Sequence, residues 1–414
     1  MKPDDDPSAP APGDRAARHA RVKALFIQAL DRPASQRDAW LLAACAGEPD
    51  LLDELRDLLR YHDDDPLFDD RPPAAPARSA DPAELIGFEL DGRYRFDAFI
   101  AEGGFGYVYR GTHLRWQRPV AIKVFKPFPD DAMRASLEAS FIKEGALLND
   151  LSRRTTAIVQ SHDVGTLTRD ARPPMLYTVL EWIDGHTLAA ARSDHPAPWP
   201  LDRVLATLDP IAEALAIAHR EGVAHRDVKP GNVMLTEGGG AKLLDFGVAK
   251  VAAERARGFE STGGHATPFT LDYAAPEQIS RSHGPTGPWT DVYALAMMCV
   301  ELLTGRHPYA DLDIVTAMRR IREPGRRPTP RALGVELRDG VEGVFARALA
   351  HDPTLRQPDV GVFWSALRAA ATAPERPPPE PGPSPRLARF GWLALGLGLA
   401  AFLVIYLLLA RGIE

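Results

Sequence analysis

Apolar residues fall along this chain in three rhythms. Near the N-terminus they recur at helical spacing: Val22, Leu25, Phe26, Ala29 and Leu30, then Trp40, Leu41, Ala44 and Cys45, then Leu51, Leu52, Leu55, Leu58 and Leu59. Each set marks one face of a short amphipathic helix. Pro33 separates the first two helices, Ser35 followed by Asp38 reads as an N-cap with a carboxylate in the first turn, Gly47 ends the second and Pro49 opens the third. From about residue 94 the pattern turns to alternation and short apolar runs. Phe96, Phe99 and Ile100, then Val120-Ala121-Ile122-Lys123, then Tyr177 to Ile183 predict strands, with one helical set (Leu137, Phe141, Leu147, Leu148) among them. Beyond Pro200 the spacing is helical again through Leu205, Leu208, Ile211, Leu215 and Ile217, and a further apolar helix runs from Asp291 through Leu303. The third rhythm has no polar face. Phe390 to Ala410 carries no charge.

Composition places linkers between these regions. The 414 residues allow two or three domains. Met1 to Gly13 is acidic and Pro/Ala-rich, has no apolar run to serve as a signal-peptide core, and reads as disordered over 1–14. The helical module occupies 15–62. Asp63 to Asp81 is again acidic and Pro/Ala-rich, which sets a linker over 63–91, and a Pro-rich stretch fills 372–389. A net charge of −7 argues against a nucleic-acid partner, because neutralising phosphates needs basic surface. Cys45 and Cys299 are the two cysteines, far apart and without metal-ligand spacing, as expected for a reduced compartment.

The chemistry concentrates between His225 and Gly247. There His225-Arg226-Asp227-Val228-Lys229-Pro230-Gly231-Asn232 is followed by Asp245-Phe246-Gly247. Two isolated carboxylates and an amide on short loops between apolar strands suit one base and two metal-facing oxygens. This spacing resembles the catalytic and magnesium loops of eukaryotic-like, bacterial-type Ser/Thr protein kinases. Upstream, Ala101-Glu102-Gly103-Gly104-Phe105-Gly106-Tyr107-Val108 is similar to that family's Gly-rich hairpin, with Ala101 in place of the first glycine. Downstream, Tyr273-Ala274-Ala275-Pro276-Glu277 resembles the end of the activation segment, and Arg356 stands where the family places the arginine that pairs with Glu277. The matches cover 92–371. The resemblance implies an α+β, two-lobed kinase-like fold: an antiparallel sheet with one main helix, a mostly helical second lobe, and ATP between them. The preceding helical module resembles a short segment found ahead of the kinase domain in some bacterial Ser/Thr kinases.

Roles follow residue by residue from that resemblance. Asp227 takes or orients the proton of the attacking hydroxyl, and Lys229 lies against the γ-phosphate. Asn232 and Asp245 hold Mg²⁺, for which Mn²⁺ can substitute. Lys123 grips the α- and β-phosphates and is paired by Glu144, with Glu138 as the alternative. Ala101, Gly103, Gly106, Val108 and Ala121 form the nucleotide pocket, and backbone groups of Glu181 and Ile183 meet the adenine behind Leu180. Asp291 braces the catalytic loop from below. Lys229 and Thr270 match the Ser/Thr-specific members, which implies protein substrates with Ser or Thr acceptors. Arg226 implies a phosphorylated activation segment, with Ser261, Thr262 and Thr267 as candidates and a homodimer as the route to trans-autophosphorylation. A pseudokinase scaffold and a small-molecule phosphotransferase are the competing readings. The first would lack the lysine, base or metal ligands, and the second would lack Tyr273 to Glu277.

Residues 390–410 as a helix would span about 31 Å at roughly 1.5 Å per residue, against about 30 Å of bilayer hydrocarbon. A helix apolar on all faces beyond a Pro-rich linker has no core to enter, so a single transmembrane span is expected, leaving a short tail over 411–414. Arg386 and Arg389 before it and Arg411 after it favour a cytoplasmic kinase domain. Signals would then arrive through the N-terminal helices, membrane crowding or dimerisation.

Overall fold

Val120, Ile122 and Val124 are buried together because alternate residues of an extended strand point to one side. The computed structural model describes part of 21–59 and residues 82–374 apart from 103–105, 127–130, 170–173, 245–270, 280–282, 311, 313 and 326. In chain order it contains helix α1 (Ala34–Ala44), strands β1 (Glu89–Leu90), β2 (Tyr94–Glu102), β3 (Gly106–His113) and β4 (Arg118–Phe125), helix α2 (Asp131–Ser152), and strands β5 (Ser161–Leu167) and β6 (Met175–Glu181). Antiparallel pairing orders the strands β1-β2-β3-β4-β6-β5. One face packs Tyr94, Phe96, Tyr107, Tyr109, Ile122, Val124, Tyr177 and Val179 into an aromatic-rich core. On the other face Phe125 meets Phe141 of α2 edge-on, with ring centroids 5.0 Å apart, and Leu176 completes a small cluster.

The second lobe is mostly helical. It holds β7 (Gly185–Thr187), α3 (Leu188–Asp194), α4 (Leu201–Arg220), β8 (Val233–Thr236), β9 (Ala241–Leu243), the short α5 (Pro276–Ile279), α6 (Pro288–Thr304), α7 (Ile314–Arg322), α8 (Asp339–Ala348) and α9 (Val360–Thr372). Strands β7, β8 and β9 make a small antiparallel sheet. Helix α6 is buried continuously from Thr290 to Val300, which fits its nearly all-apolar sequence and makes it the centre of the lobe. It starts with Pro288 at its first turn and ends at Gly305, whose φ of 80° is the left-handed cap that glycine adopts at least cost. The lobes are stitched behind the cleft: Leu243 N–H donates to Ala157 O (2.7 Å), and Val159 N–H donates to Leu243 O (3.0 Å).

Two sequence expectations change. Residues 82–90, placed in the linker, pack onto the sheet: Glu89 and Leu90 form β1, Leu85 and Leu90 enter its core, and Tyr109 Oη donates to Pro82 O. Ser35 does not precede α1 but lies within it, and the Asp38 carboxylate is taken by Arg56 at 2.7 and 3.1 Å instead of a helix terminus. The expected span over 390–410 lies outside the described residues, among which no helix is long and apolar enough to cross a membrane.

Candidate active site

Helix α4 ends at Arg220, Gly222 turns the chain with φ 75°, and the loop 223–229 leads into β8. Asp227 stands on this loop. Its Oδ2 accepts from Lys229 Nζ (2.8 Å) and from Asn232 Nδ2 (2.9 Å). Asn232 Nδ2 also donates to Asp227 O (2.7 Å), so the amide clamps the aspartate at two points. Asp227 Oδ1 is buried and has no hydrogen-bond partner among the described residues. One oxygen is therefore held in place and the other is left to accept.

Below the loop, Asp291 fixes the backbone. It is fully buried in the first turn of α6, and its two oxygens accept from His225 N–H and Arg226 N–H, both at 2.7 Å. Meeting both amides requires Arg226 to take φ 62°, a left-handed conformation that costs a non-glycine residue roughly 1 kcal/mol. His219 adds a third contact at 2.8 Å from Nε2. Its Nδ1 accepts from Val360 N–H (3.3 Å), so Nε2 carries the proton and donates. Burial opposes ionisation of Asp291, yet the donors from His219 and His225 prevail and hold its carboxyl below the usual range.

His225 ties this loop to the next one. Its Nδ1 accepts from Asp227 N–H (3.2 Å), which leaves Nε2 to donate to Leu244 O (2.9 Å). Leu244 N–H donates to Asn232 O (2.8 Å). The residue before Asp245 is thus bonded on both sides to the loop that carries Asp227 and Asn232. Asp245 itself lies outside the described residues.

Strand register builds the opposite wall. Ala101 pairs with Val108, Val108 with Lys123, and Ala121 with Leu180. Directly opposed residues share a face, so Ala101, Val108, Ala121, Lys123 and Leu180 all lie on the side away from the aromatic core. Lys123 Nζ sits 5.3 Å from the Phe125 ring centroid. Position 144 falls on the helix face of Phe141, Gly145 and Leu148, by the i, i+3, i+4 spacing, but the Glu144 side chain is not among those described. The alternative, Glu138, accepts from Thr166 Oγ1 on β5. At Gly106 a Cβ would meet Val124 O at 2.2 Å, so the close pass of β4 requires glycine there. Gly103 lies outside the described residues. Glu181 N–H donates to Gln160 O (2.9 Å), and its carboxylate takes Gln160 N–H and Lys242 Nζ. Ile183 is half-buried just beyond it.

A protein kinase domain family matches residues 94–351. The chain belongs to that family. The serine/threonine-protein kinase PknA of Mycobacterium tuberculosis is 33% identical over 318 residues, covering 76% of this kinase and 69% of the relative. PknL of Mycobacterium bovis is 37% identical over 290 residues, covering 68% and 66%. The crystal structure of the Mycobacterium tuberculosis PknI kinase domain superposes with a TM-score of 0.50 at 27% identity, covering 69% of this chain and 98% of that one.

In this kinase the end of the activation segment is anchored by a buried ion pair. Arg356 Nη1 and Nη2 donate to the two oxygens of Glu277 at 2.8 and 2.9 Å, with both side chains fully buried. Thr290 Oγ1 adds a bond to Glu277 (2.8 Å), and Arg356 Nε donates to Ala350 O (2.7 Å). The pair is bidentate and its remaining hydrogen-bonding capacity is used, the condition under which such a pair is tolerated in a core. Gln278 then links this turn to the catalytic loop by donating to Arg226 O (2.8 Å) while accepting from Ala275 N–H. Sequence reasoning names Asp291, Glu277 and Arg356 but misses His219, Thr290 and Gln278. A histidine, a threonine and a glutamine within helical runs carry no signature until the fold brings them to these partners.

Proposed function

We propose that this chain is a serine/threonine protein kinase that transfers the γ-phosphate of ATP to hydroxyls of protein substrates. The observation that carries this reading is Asp227, one oxygen clamped by Lys229 and Asn232 and the other buried and unpartnered among the described residues. The acceptor hydroxyl passes its proton to Asp227 Oδ1 as its oxygen bonds to the γ-phosphorus and the bond to the β-phosphate oxygen breaks. Lys229, 2.8 Å from Asp227, places a positive charge beside the attacking oxygen. Asn232 spends both amide hydrogens on Asp227, so its Oδ1 remains as a hard oxygen for a divalent cation. Together with Asp245 it would hold Mg²⁺, which when bound offsets charge on the phosphates. Lys123, on the face shared with Ala101, Val108 and Ala121, would hold the α- and β-phosphates.

The Ser/Thr acceptor is supported by Lys229 and by the kinship with PknA and PknL. Arg226 Nε is buried without a partner among the described residues, which supports phosphorylation of Ser261, Thr262 or Thr267 in the activation segment, by a second copy or by another kinase. The charge-free run 390–410 supports a single membrane span with the kinase domain on the cytoplasmic side.

The test is transfer from radiolabelled ATP to casein by wild type and Asp227→Asn, followed by phosphoamino-acid analysis. Label on serine or threonine that falls about 10²-fold or more in the variant is expected. Absence of label on any protein would favour a scaffold or a small-molecule phosphotransferase, and an undiminished signal in the variant would remove Asp227 from its role.

A further inference from the structure

The sheet face that carries Lys123 holds a second cation at its other end. On β3, Arg110 pairs with Ala98 of β2 and with Ala121 of β4. Directly opposed residues share a face, so Arg110 stands with Ala121, Val108 and Lys123, on the side away from the aromatic core. It lies opposite the residue two places before Lys123, which is about 7 Å further along the wall at roughly 3.4 Å per residue. Both of its strand neighbours are alanines, whose methyl groups leave the arginine's stem room to cross the face. Its guanidinium carbon lies 5.2 Å from the centroid of the Trp182 ring, inside the distance at which a cation is drawn to a π face.

Both partners are held from elsewhere. Trp182 follows β6, where the chain crosses from the strand lobe to the helical one, and its Nε1 donates to Asp184 Oδ1 (2.9 Å). The residue before it, Glu181, is tied to Gln160 N–H (2.8 Å) and to Lys242 Nζ of β9 (2.5 Å). The indole therefore stands on a segment fixed to both lobes. On the roof, Asp97 Oδ2 accepts from Thr112 Oγ1 (2.6 Å) and its Oδ1 from Arg95 Nε (2.8 Å). Burial opposes ionisation of Asp97, yet these two donors and the charges of Arg95 and Arg110 hold its carboxyl below the usual range. The Asp97 charge and the Trp182 face thus both draw on the Arg110 guanidinium.

Building on the protein-kinase reading, we propose that Arg110 and Trp182 form a clasp across the outer mouth of the nucleotide site, and that Arg110 is a positioning residue for the nucleotide. Lys123 holds the phosphate end, and the clasp ties the roof on β3 to the segment after β6 at the base end. Opening it lets β3 lift from the base and speeds loss of nucleotide, while Asp227 and Lys229 keep their places on the other lobe.

The test is calorimetric titration of the full chain, in mild detergent, with MgADP, beside casein phosphorylation at varied ATP. Arg110→Ala should weaken MgADP about 3-fold or more, the weight of one exposed cation–π contact. It should raise KM for ATP by a similar factor while kcat falls less. Arg110→Lys keeps a cation over the ring and should recover most of the loss. Trp182→Ala should weaken MgADP as well, and the double variant should bind no more weakly than the weaker single one, because either change opens the same clasp. Arg110 is exposed, so its replacement leaves the folded core intact. Unchanged MgADP affinity in Arg110→Ala overturns the proposal, and so do losses that multiply in the double variant. Titration needs no phosphoryl transfer: a wild type that binds MgADP but labels no protein refutes the kinase reading alone, and one that binds no MgADP refutes both.

Discussion

Asp291 sets the backbone geometry of the loop that carries Asp227. Its two oxygens orient successive amides one and two residues before Asp227. Asn at this position keeps one acceptor and turns an amide group toward a backbone N–H. Asp291→Asn should therefore cost about 1–3 kcal/mol at pH 7 and lower kcat more than it raises KM for ATP. Because the folded carboxyl lies below its usual range, its contribution is complete above an unfolded value of about 3.9 and fades as the pH drops toward the folded value. Urea midpoints of wild type and variant should accordingly differ at pH 7 and draw together as the pH falls below the unfolded value of about 3.9. Gly106 answers to a different constraint. A methyl group there would press on Val124 O, so Gly106→Ala should cost about 1–3 kcal/mol and raise KM for ATP by displacing the hairpin from β4. The glycine pattern was legible in the sequence. That the third glycine is required by a neighbouring strand was not, since strand pairing is invisible in a local motif.

At the scale of elements, the Glu277–Arg356 pair joins the turn after the activation segment to the loop before α9. Seventy-nine positions separate the partners, so it closes the lobe over a long stretch of chain. Arg356→Ala would bury Glu277 without its partner and should destabilise by about 3–5 kcal/mol, a drop in Tm readable by thermal denaturation. Arg356→Met with Glu277→Leu should recover much of that loss, because two apolar groups avoid the desolvation penalty of a lone charge. Both residues could be picked from the sequence by motif. Thr290, which completes the acceptor side of the pair, could not, because it sits in a helix whose other positions read simply as core.

For the whole molecule, two lobes meet where β9 returns beside the entry to β5, and the sheet face carrying Lys123 and the loop carrying Asp227 come from opposite sides of that seam. The full chain should sediment with membranes and resist extraction by high salt, whereas a chain ending at residue 374 should remain in the supernatant; equal solubility of the two would remove the span over 390–410 from the picture.

The sequence alone determined the kinase fold and brought the candidate residues of one loop together, because fixed spacings such as Asp227 to Asn232 encode local loops whose geometry follows from a few bonds. Periodicity likewise separated the strand-rich stretch from the helical one. Tertiary structure decided the rest: the packing of residues 82–90 onto the sheet, the bracing of His225 and Arg226 by α6, and the seat of the N-terminal helices. A helical stripe states that a face must be buried but not against what. Only the assembled fold put Leu41, Leu55 and Leu59 in one cluster with Met318 and Ile321, beside the segment that leads back to Asp227.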